Sequence, residues 1–384
     1  MPAARPPVDS ARSDQAEPAE PTPFPPGGGA SAPTESSHGP CDARVPTLRE
    51  SGTAASQYDR EVATTAVLTI DDVERARERI AGRLHRTPLL PSATASKRVG
   101  VPVHFKAELL QRTGSFKPRG VLNKLATLSD EEKQRGVISI SAGNHAQALA
   151  YAAAVEGIDA LVVMWQTASP YKIAAARGYG ATVDDSPADI PAAFEHLDRL
   201  VEKTGRTLVH PYDDPLVMAG QGTVGLEILE DLPEATVVLV QVGGGGLVSG
   251  VATAVKGRNP DARVIAIEPE LSNALQASMV AGYMVTIDPA SMADGLNGPY
   301  AGENCIRQCL DLGVENLLVT EDEIAEGFRW IYGRMKLACE TAGAATAGAL
   351  LSGRVELNDD DVVAAVVSGG NVAGETAAAI LAGR

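Results

Sequence analysis

Three short stretches bring together residues that can do chemistry. The first is GSFKPRG, residues 114–120. Its lysine stands between a phenylalanine and a proline, with glycines on both sides. Proline biases the residue before it away from helical backbone angles. Pro118 itself suits the first position of a helix through PRGVLNKLATL. Lys117 is therefore expected to project from an extended residue at a helix mouth, crowded by Ser115 and Phe116. An amine held among apolar groups has a lowered pKa and can condense with a carbonyl as a Schiff base.

The second stretch is QVGGGGLVSGVATAVKG, in which Gly243, Gly244, Gly245 and Gly246 end an apolar run and open a helix. Bare backbone approaches a ligand closely, and a helix N-terminus offers free amides with partial positive charge. That combination cradles a phosphate, whereas a tight turn alone needs one or two glycines. A Walker loop is excluded because no Gly-Lys-Ser/Thr follows. A dinucleotide fingerprint starting at Gly244 would require glycine where Ser249 stands. Glu268 nevertheless closes the next strand about 20 residues on, where a ribose-binding acid would sit. On this loop alone, a nicotinamide-dependent oxidoreductase stays open.

The third stretch is SISAGNHAQALAYAA. Ser141 ends a strand, and Asn144 and His145 begin a helix. Ser, Gly and Asn suit a helix cap. The same amides and dipole suit a substrate carboxylate, and the loop by itself fits both.

The elements that must hold these loops alternate. GVISIS, DALVVMW, ATVDD, RTLVHP, TVVLVQV, ARVIAIEPE and DVVAAVVSGG read as strands; VPVHFKAE is another, ahead of the lysine loop. TIDDVERARERIAG, NHAQALAYAAAVEG, PYKIAAARGYG and IPAAFEHLDRLVEKTG read as helices. Strands apolar on both faces, alternating with helices, predict an α/β fold with parallel sheets covered on both sides. Ligand sites in such folds lie at the carboxyl ends of strands.

Composition sets the outer bounds. The chain has 384 residues, 33 basic against 49 acidic side chains, and a formal charge of −16. That balance argues against nucleic acid and anionic membranes as partners. No apolar run is long enough for a bilayer, and the N-terminus lacks a signal pattern. Cys41, Cys305, Cys309 and Cys339 form no disulfide framework. Cys305 and Cys309, one helical turn apart, read as buried helix residues rather than metal ligands, and a reducing cytoplasm is expected. Eleven of the 25 prolines precede residue 47, so residues 1–62 read as a disordered Pro/Ala/Gly-rich tail. That tail alone supports a third reading, a non-catalytic interaction protein.

GSFKPRG, SAGNHAQ, GGGGL and SGGN, in this order, resemble the pyridoxal-phosphate enzymes of the tryptophan-synthase β fold (fold type II). The threonine/serine dehydratase and serine racemase branch is the most similar, and QRTGSFKPRG, ADG at 293–295 and TEDEI at 320–324 match it too. The resemblance spans residues 66–376. It implies a large cofactor domain (63–132 and 209–384) and a small mobile domain (133–208) that closes over the substrate. It implies that Lys117 holds pyridoxal 5'-phosphate covalently and that Phe116 flanks it. Gly243 to Gly246 and Leu247 wrap the phosphate, Asn144 contacts the ring hydroxyl, and Ser368 meets the pyridine nitrogen. Ser141, Ala142, Gly143, Asn144 and His145 receive the substrate carboxylate.

Three departures from the branch stand out. Ala142 replaces a second serine that serves racemases as a base, which favours dehydration. Glu268 opens the branch's divalent-cation site, but the acid expected six residues later is Ala274, so no metal is expected. The family's EPAGA reads Glu340-Thr341-Ala342-Gly343-Ala344, without its proline. SGGN stands close to residue 384, so no regulatory domain like that of the isoleucine-regulated dehydratase is expected. The resemblance thus implies a cytoplasmic PLP-dependent ammonia-lyase that turns L-threonine or L-serine into a 2-oxo acid and ammonia. It is expected to work as a homo-oligomer, a dimer or tetramer. A dehydratase or β-replacement enzyme for another substituted serine is the alternative within the fold.

Overall fold

Ten short strands form two sheets in the computed structural model, which describes residues 68–383. They are β1 Leu89–Pro91, β2 Val103–Ala107, β3 Val137–Ile140, β4 Ala160–Val163, β5 Thr182–Asp184, β6 Thr207–Leu208, β7 Val237–Gln241, β8 Arg263–Pro269, β9 Glu315–Val319 and β10 Val363–Val367. One sheet has the order β1-β2-β10-β7-β8-β9, the other β5-β4-β3-β6. Every pairing is parallel except β1 with β2. The α/β expectation holds, with one antiparallel edge added. The segment 1–62, read above as a tail, lies outside the described residues.

β10 sits between β2 and β7, with Val363 opposite both Val103 and Val237. Its side chains and those of β7 are wholly buried, which is why both read as unbroken apolar runs. β1 and β9 were not foreseen. β1 is three residues ending in proline, and β9 begins on an exposed glutamate at the sheet edge. Neither carries the continuous apolar signal of a central strand.

The helix Pro118–Leu125, which Lys117 opens, is fixed from behind. It crosses the helix Pro215–Asp231 where two glycines meet: a Cβ on Gly120 would lie 2.5 Å from the Val217 carbonyl oxygen. Beside that crossing Arg119 is buried, donating from Nε and Nη2 to Glu108 at 2.8 Å each and from Nη1 to Glu227 at 2.7 Å. Lys106 Nζ reaches the same Glu227 at 2.6 Å. Two cations and two anions thus close on one another, and each is satisfied by several hydrogen bonds. The network ties β2 to both helices and sets the axis along which Lys117 emerges.

Candidate active site

Lys117 occupies the N-cap position of its helix, with Pro118 at the first position as expected. Its backbone differs from the expectation: φ −53 and ψ −37 are helical. The residue before a proline is only biased against this region, and the Val121 amide donates to the Lys117 carbonyl at 3.3 Å, which offsets the crowding. The loop also does not follow β2 directly, because 3₁₀ turns at Glu108–Leu110 and Arg112–Gly114 intervene.

Lys117 as a whole is half-buried, with its amine end turned inward. Nζ donates to the Pro211 carbonyl at 2.8 Å and lies 5.1 Å from the centre of the Phe116 ring. Burial pushes its pKa down from 10.5 to about 8, with Cys305 and Glu340 pulling it part of the way back. The surroundings bring no second cation. His145 Nε2 lies 3.0 Å from the Val209 carbonyl, which can only accept, so Nε2 carries the proton. His210 Nδ1 accepts from the Asp213 amide at 2.8 Å. Burial, with the Lys117 charge adding to it, holds His145 at about 3 and His210 at about 4.

From Pro211 the chain turns directly onto the glycine run. The Tyr212 ring lies over Gly244, and a Cβ on Gly246 would come 2.6 Å from the Tyr212 carbonyl oxygen. Gly245 has φ +98, and a Cβ there would meet Cys305 Cβ at 2.7 Å. Gly243 faces the backbone of Leu296. The four glycines are therefore required by close packing as well as by a bare cradle, which the sequence argument credited to the cradle alone. The helix they open, Gly246–Arg258, has no side-chain cap and no acid in its first turn. Leu247 is buried in that first turn.

The third loop behaves alike. The helix Asn144–Glu156 begins at Gly143 with no side-chain cap, and open space faces the Gly143 Cα. Ser141 Oγ accepts from the Gly143 amide at 3.1 Å instead of capping the helix. Ala142 sits half-buried beside it. Asn144 turns away from its own helix, donating to Glu340 Oε1 at 2.7 Å. Ser368 follows β10 and joins the lysine loop through its carbonyl, which accepts from the Phe116 amide at 3.1 Å. With the Gln241 amide nitrogen facing the Val366 carbonyl, the Gln241 oxygen accepts from Ser368 Oγ at 2.7 Å.

Several buried polar atoms in this region have no hydrogen-bond partner, among them Thr113 Oγ1, Ser115 Oγ and His145 Nδ1. Together with the bare cradle, the uncapped helix starts and the enclosed amine, they fit a phosphorylated aldehyde bound here. A comparison with protein families decides the matter: residues 80–369 match the model described as pyridoxal-phosphate dependent enzyme.

The chain belongs to the pyridoxal-phosphate-dependent enzyme family.

Among characterised relatives, the L-threonine ammonia-lyase of Thermotoga maritima is 41% identical over 307 residues, 80% of this chain and 76% of that protein. Among solved structures, maize serine racemase superposes with a TM-score of 0.78 at 35% identity, covering 81% of this chain and 96% of that one. The processed form of threonine deaminase isoform 2 from Solanum lycopersicum gives 0.77 at 32% identity, covering 86% and 90%. Membership brings the cofactor, pyridoxal phosphate, and the fold type II architecture.

The oxidoreductase reading loses its acid. Glu268 is buried at the end of β8, and its carboxylate accepts from the Leu275 and Gln276 amides at 2.9 and 2.8 Å and from Asn316 Nδ2 at 2.7 Å. It caps the helix Ala274–Ala281 and is not free for a ribose. Cys305 and Cys309 lie buried in the helix Glu303–Asp311, and burial raises both thiols. The missing proline has a simple substitute: Thr341 takes the first helical position and its Oγ1 donates to the Met292 carbonyl at 3.0 Å.

Sequence reasoning overlooked the segment HPYDDP, residues 210–215, which supplies Pro211 to the amine and Tyr212 to the cradle. A dense polar run between a strand and a helix, at the carboxyl end of the strand, was the available signal. It also missed Gln241 and Asn371 as partners of Ser368 and Asn144.

Proposed function

We propose that this protein is a PLP-dependent ammonia-lyase that converts L-threonine and L-serine to the 2-oxo acid and ammonia. The observation that carries the reading is the enclosed, readily deprotonated amine of Lys117, joined through Pro211 and Tyr212 to the glycine cradle. Relatives at 41% identity are named L-threonine ammonia-lyase and L-threonine dehydratase.

When bound, pyridoxal phosphate supplies an aldehyde that condenses with amines and a ring that draws electron density from the substrate Cα. Gly243, Gly244, Gly245, Gly246 and Leu247 hold its phosphate by backbone amides. Phe116 lines the ring, and Ser368 would turn its one hydroxyl hydrogen from the Gln241 oxygen to the ring nitrogen. A hydroxyl carries no negative charge to keep that nitrogen protonated, so electron withdrawal stays moderate and favours prompt loss of a β-substituent. The loop from Ser141 to His145 receives the substrate carboxylate, chiefly through the Ala142, Asn144 and His145 amides, since the Ser141 amide is committed to the Val163 carbonyl and the Gly143 amide to Ser141 Oγ, and it orients the Cα–H bond. Lys117 Nζ takes the Cα proton. The Cα–Cβ double bond forms as the Cβ–O bond breaks, and the β-oxygen leaves as water after gaining one proton. The released enamine adds water and yields the 2-oxo acid and ammonia. Ala142 supplies no second base, so returning the proton from the opposite face is disfavoured.

The segment 133–208 serves in this reading as the lobe that closes over the substrate. Lys172 and Asp294 pair across from it to the larger sheet, and the Phe194 and Tyr300 rings meet 6.5 Å apart. We further take the enzyme to be a cytoplasmic homo-oligomer, a dimer or tetramer. No helix among the described residues is long and apolar enough to cross a membrane. The test is a panel of β-hydroxy amino acids assayed for ammonia and 2-oxo acid. Ammonia and 2-oxo acid formed in equal amounts from threonine and from serine bear the proposal out, together with their loss in a folded Lys117→Ala variant. Turnover only of a larger substituted serine, or of an added nucleophile, would favour the alternative within the fold.

A further inference from the structure

Glu340 occupies the N-cap position of the helix Thr341–Leu351, yet its side chain does not cap that helix. It reaches away, to Asn144 Nδ2 at 2.7 Å. The seat is narrow: the Glu340 amide donates to the Gly369 carbonyl at 3.0 Å, and the carboxylate oxygen lies where a Cβ on Gly369 would stand. A carboxyl group placed so closely, at the expense of a helix cap, calls for a reason.

We infer that Glu340 and Asn371 are positioning residues that fix the polarity of the Asn144 amide, so that Asn144 offers the bound cofactor a hydrogen-bond donor and keeps the phenolic oxygen of its ring ionised. The inference rests on the place given to Asn144 in the reading above and extends it. The chain of reasoning starts at the Thr113 carbonyl, which can only accept. Asn371 Nδ2 donates to it at 2.7 Å, which fixes the Asn371 amide. The same nitrogen donates to Asn144 Oδ1 at 2.8 Å. Asn144 Nδ2 must then face the other way, toward Glu340 Oε1. A flipped Asn144 would set two NH₂ groups together at one end and two oxygens together at the other. The amide is therefore locked by an acceptor at each end of the relay, a backbone carbonyl and a carboxylate. The donor left uncommitted on Asn144 is the second hydrogen of Nδ2.

The electrostatics agree. Burial pushes the Glu340 carboxyl up to about 7, with Asp294 adding to the rise and Asn144, Lys172 and Lys117 opposing it. At pH 7 the carboxyl therefore carries about half a negative charge rather than a full one against an ionised ring oxygen, while Oε1 accepts from Asn144 in either state. Lys117 on the other side supplies the complementary positive charge once it carries the cofactor.

The experiment compares holoenzyme visible spectra at one pH, and cofactor dissociation constants from titration of apoenzyme, for wild type, Glu340→Gln, Glu340→Leu and Asn371→Leu. Gln keeps an oxygen for Asn144, so Glu340→Gln is expected to retain the wild-type spectrum. Either Leu variant removes one of the two locks on the amide: part of the long-wavelength band of the ionised ring gives way to the short-wavelength neutral band. Its dissociation constant rises about tenfold, the worth of one hydrogen bond to a charged group. Leu variants that keep the wild-type proportion of bands at full occupancy would overturn the inference, as would a Gln variant that shifts as far as Leu. Should Glu340→Leu fail to fold, Asn371→Leu, at the other end of the relay, decides in the same way. Failure of the cofactor reading is distinct, since wild type would then show no band bleached by borohydride.

Discussion

Replacing Lys117 by Met tests the enclosure of the amine directly, without substrate. In the apoenzyme the buried ammonium titrates at about 8 against 10.5 for an ordinary lysine. The unfolded chain therefore holds a proton that the folded chain has released between these two values, and stability rises with pH across that window. Below pH 8 both states are protonated and the folded state bears the whole cost. A difference of about 2.5 pKa units corresponds to about 3 kcal/mol. Met fills similar space and carries no charge, so it removes this cost. It also leaves the Pro211 carbonyl without its donor, which takes back about 1 kcal/mol. Apo Lys117→Met is expected to be more stable than apo wild type by about 2 kcal/mol at pH 7. The gap should narrow above pH 8, and wild type should become the more stable by about 1 kcal/mol above pH 10.5. Urea denaturation of both apoproteins at a series of pH values reads the difference, in which titrating groups remote from Lys117 cancel, and the window from pH 8 to 10.5 lies above His145, His210 and Glu340, which its charge does shift. A variant no more stable than wild type at pH 7, or a difference that ignores pH, would refute the idea of an amine stored in a costly, desolvated state.

Two further outcomes follow from the loops around that amine. Gly244→Ala drives a methyl into the Tyr212 ring, so the variant should lose several kcal/mol of stability as an overpacked site and bind pyridoxal phosphate poorly; thermal melting of the apoprotein with cofactor titration checks both. Ala142→Ser places a hydroxyl at the start of the helix Asn144–Glu156, and chiral analysis of residual serine should show more D-isomer per 2-oxo acid formed than in wild type.

What the sequence disclosed, and what it withheld, divides along physical lines. β7 and β10 were legible because burial on both faces leaves no alternative to an apolar run. β1 and β9 were not, because an edge strand is half solvated and its pattern matches that of a loop. The three chemical loops were legible because glycine, proline and lysine at fixed spacing are costly to keep without a use. The conformation of Lys117 was read wrongly from a local rule: proline's preference is about a single pair of residues, and the helix held behind it by Arg119 and Gly120 outweighs that preference. Pro211, Gln241 and Asn371 act through backbone carbonyls and amide orientation. No residue type signals such a contact, since any residue carries a carbonyl.

The same division explains how a lysine can be kept nearly neutral in a protein of strongly negative charge. A net charge of −16 should by itself raise every lysine's affinity for protons. At Lys117 the local terms run the other way. Acids on the surrounding elements are committed elsewhere: Glu108 and Glu227 to Arg119, Asp213 to the Asn304 amide at 3.1 Å, and Glu268 to a helix start, which leaves Cys305 and Glu340 as the groups that act on the amine. Burial raises Asp213 to about 6 and Glu340 to about 7, so at neutral pH Asp213 is mostly ionised but Glu340 carries only about half a charge. The two histidines are neutral, with His145 fixed by the Val209 carbonyl and His210 by the Asp213 amide. Desolvation is thus the largest influence on the amine, opposed by little. The arrangement needs no cation beside Lys117 to lower its pKa, only the removal of water and the engagement of each nearby acid with its own donor.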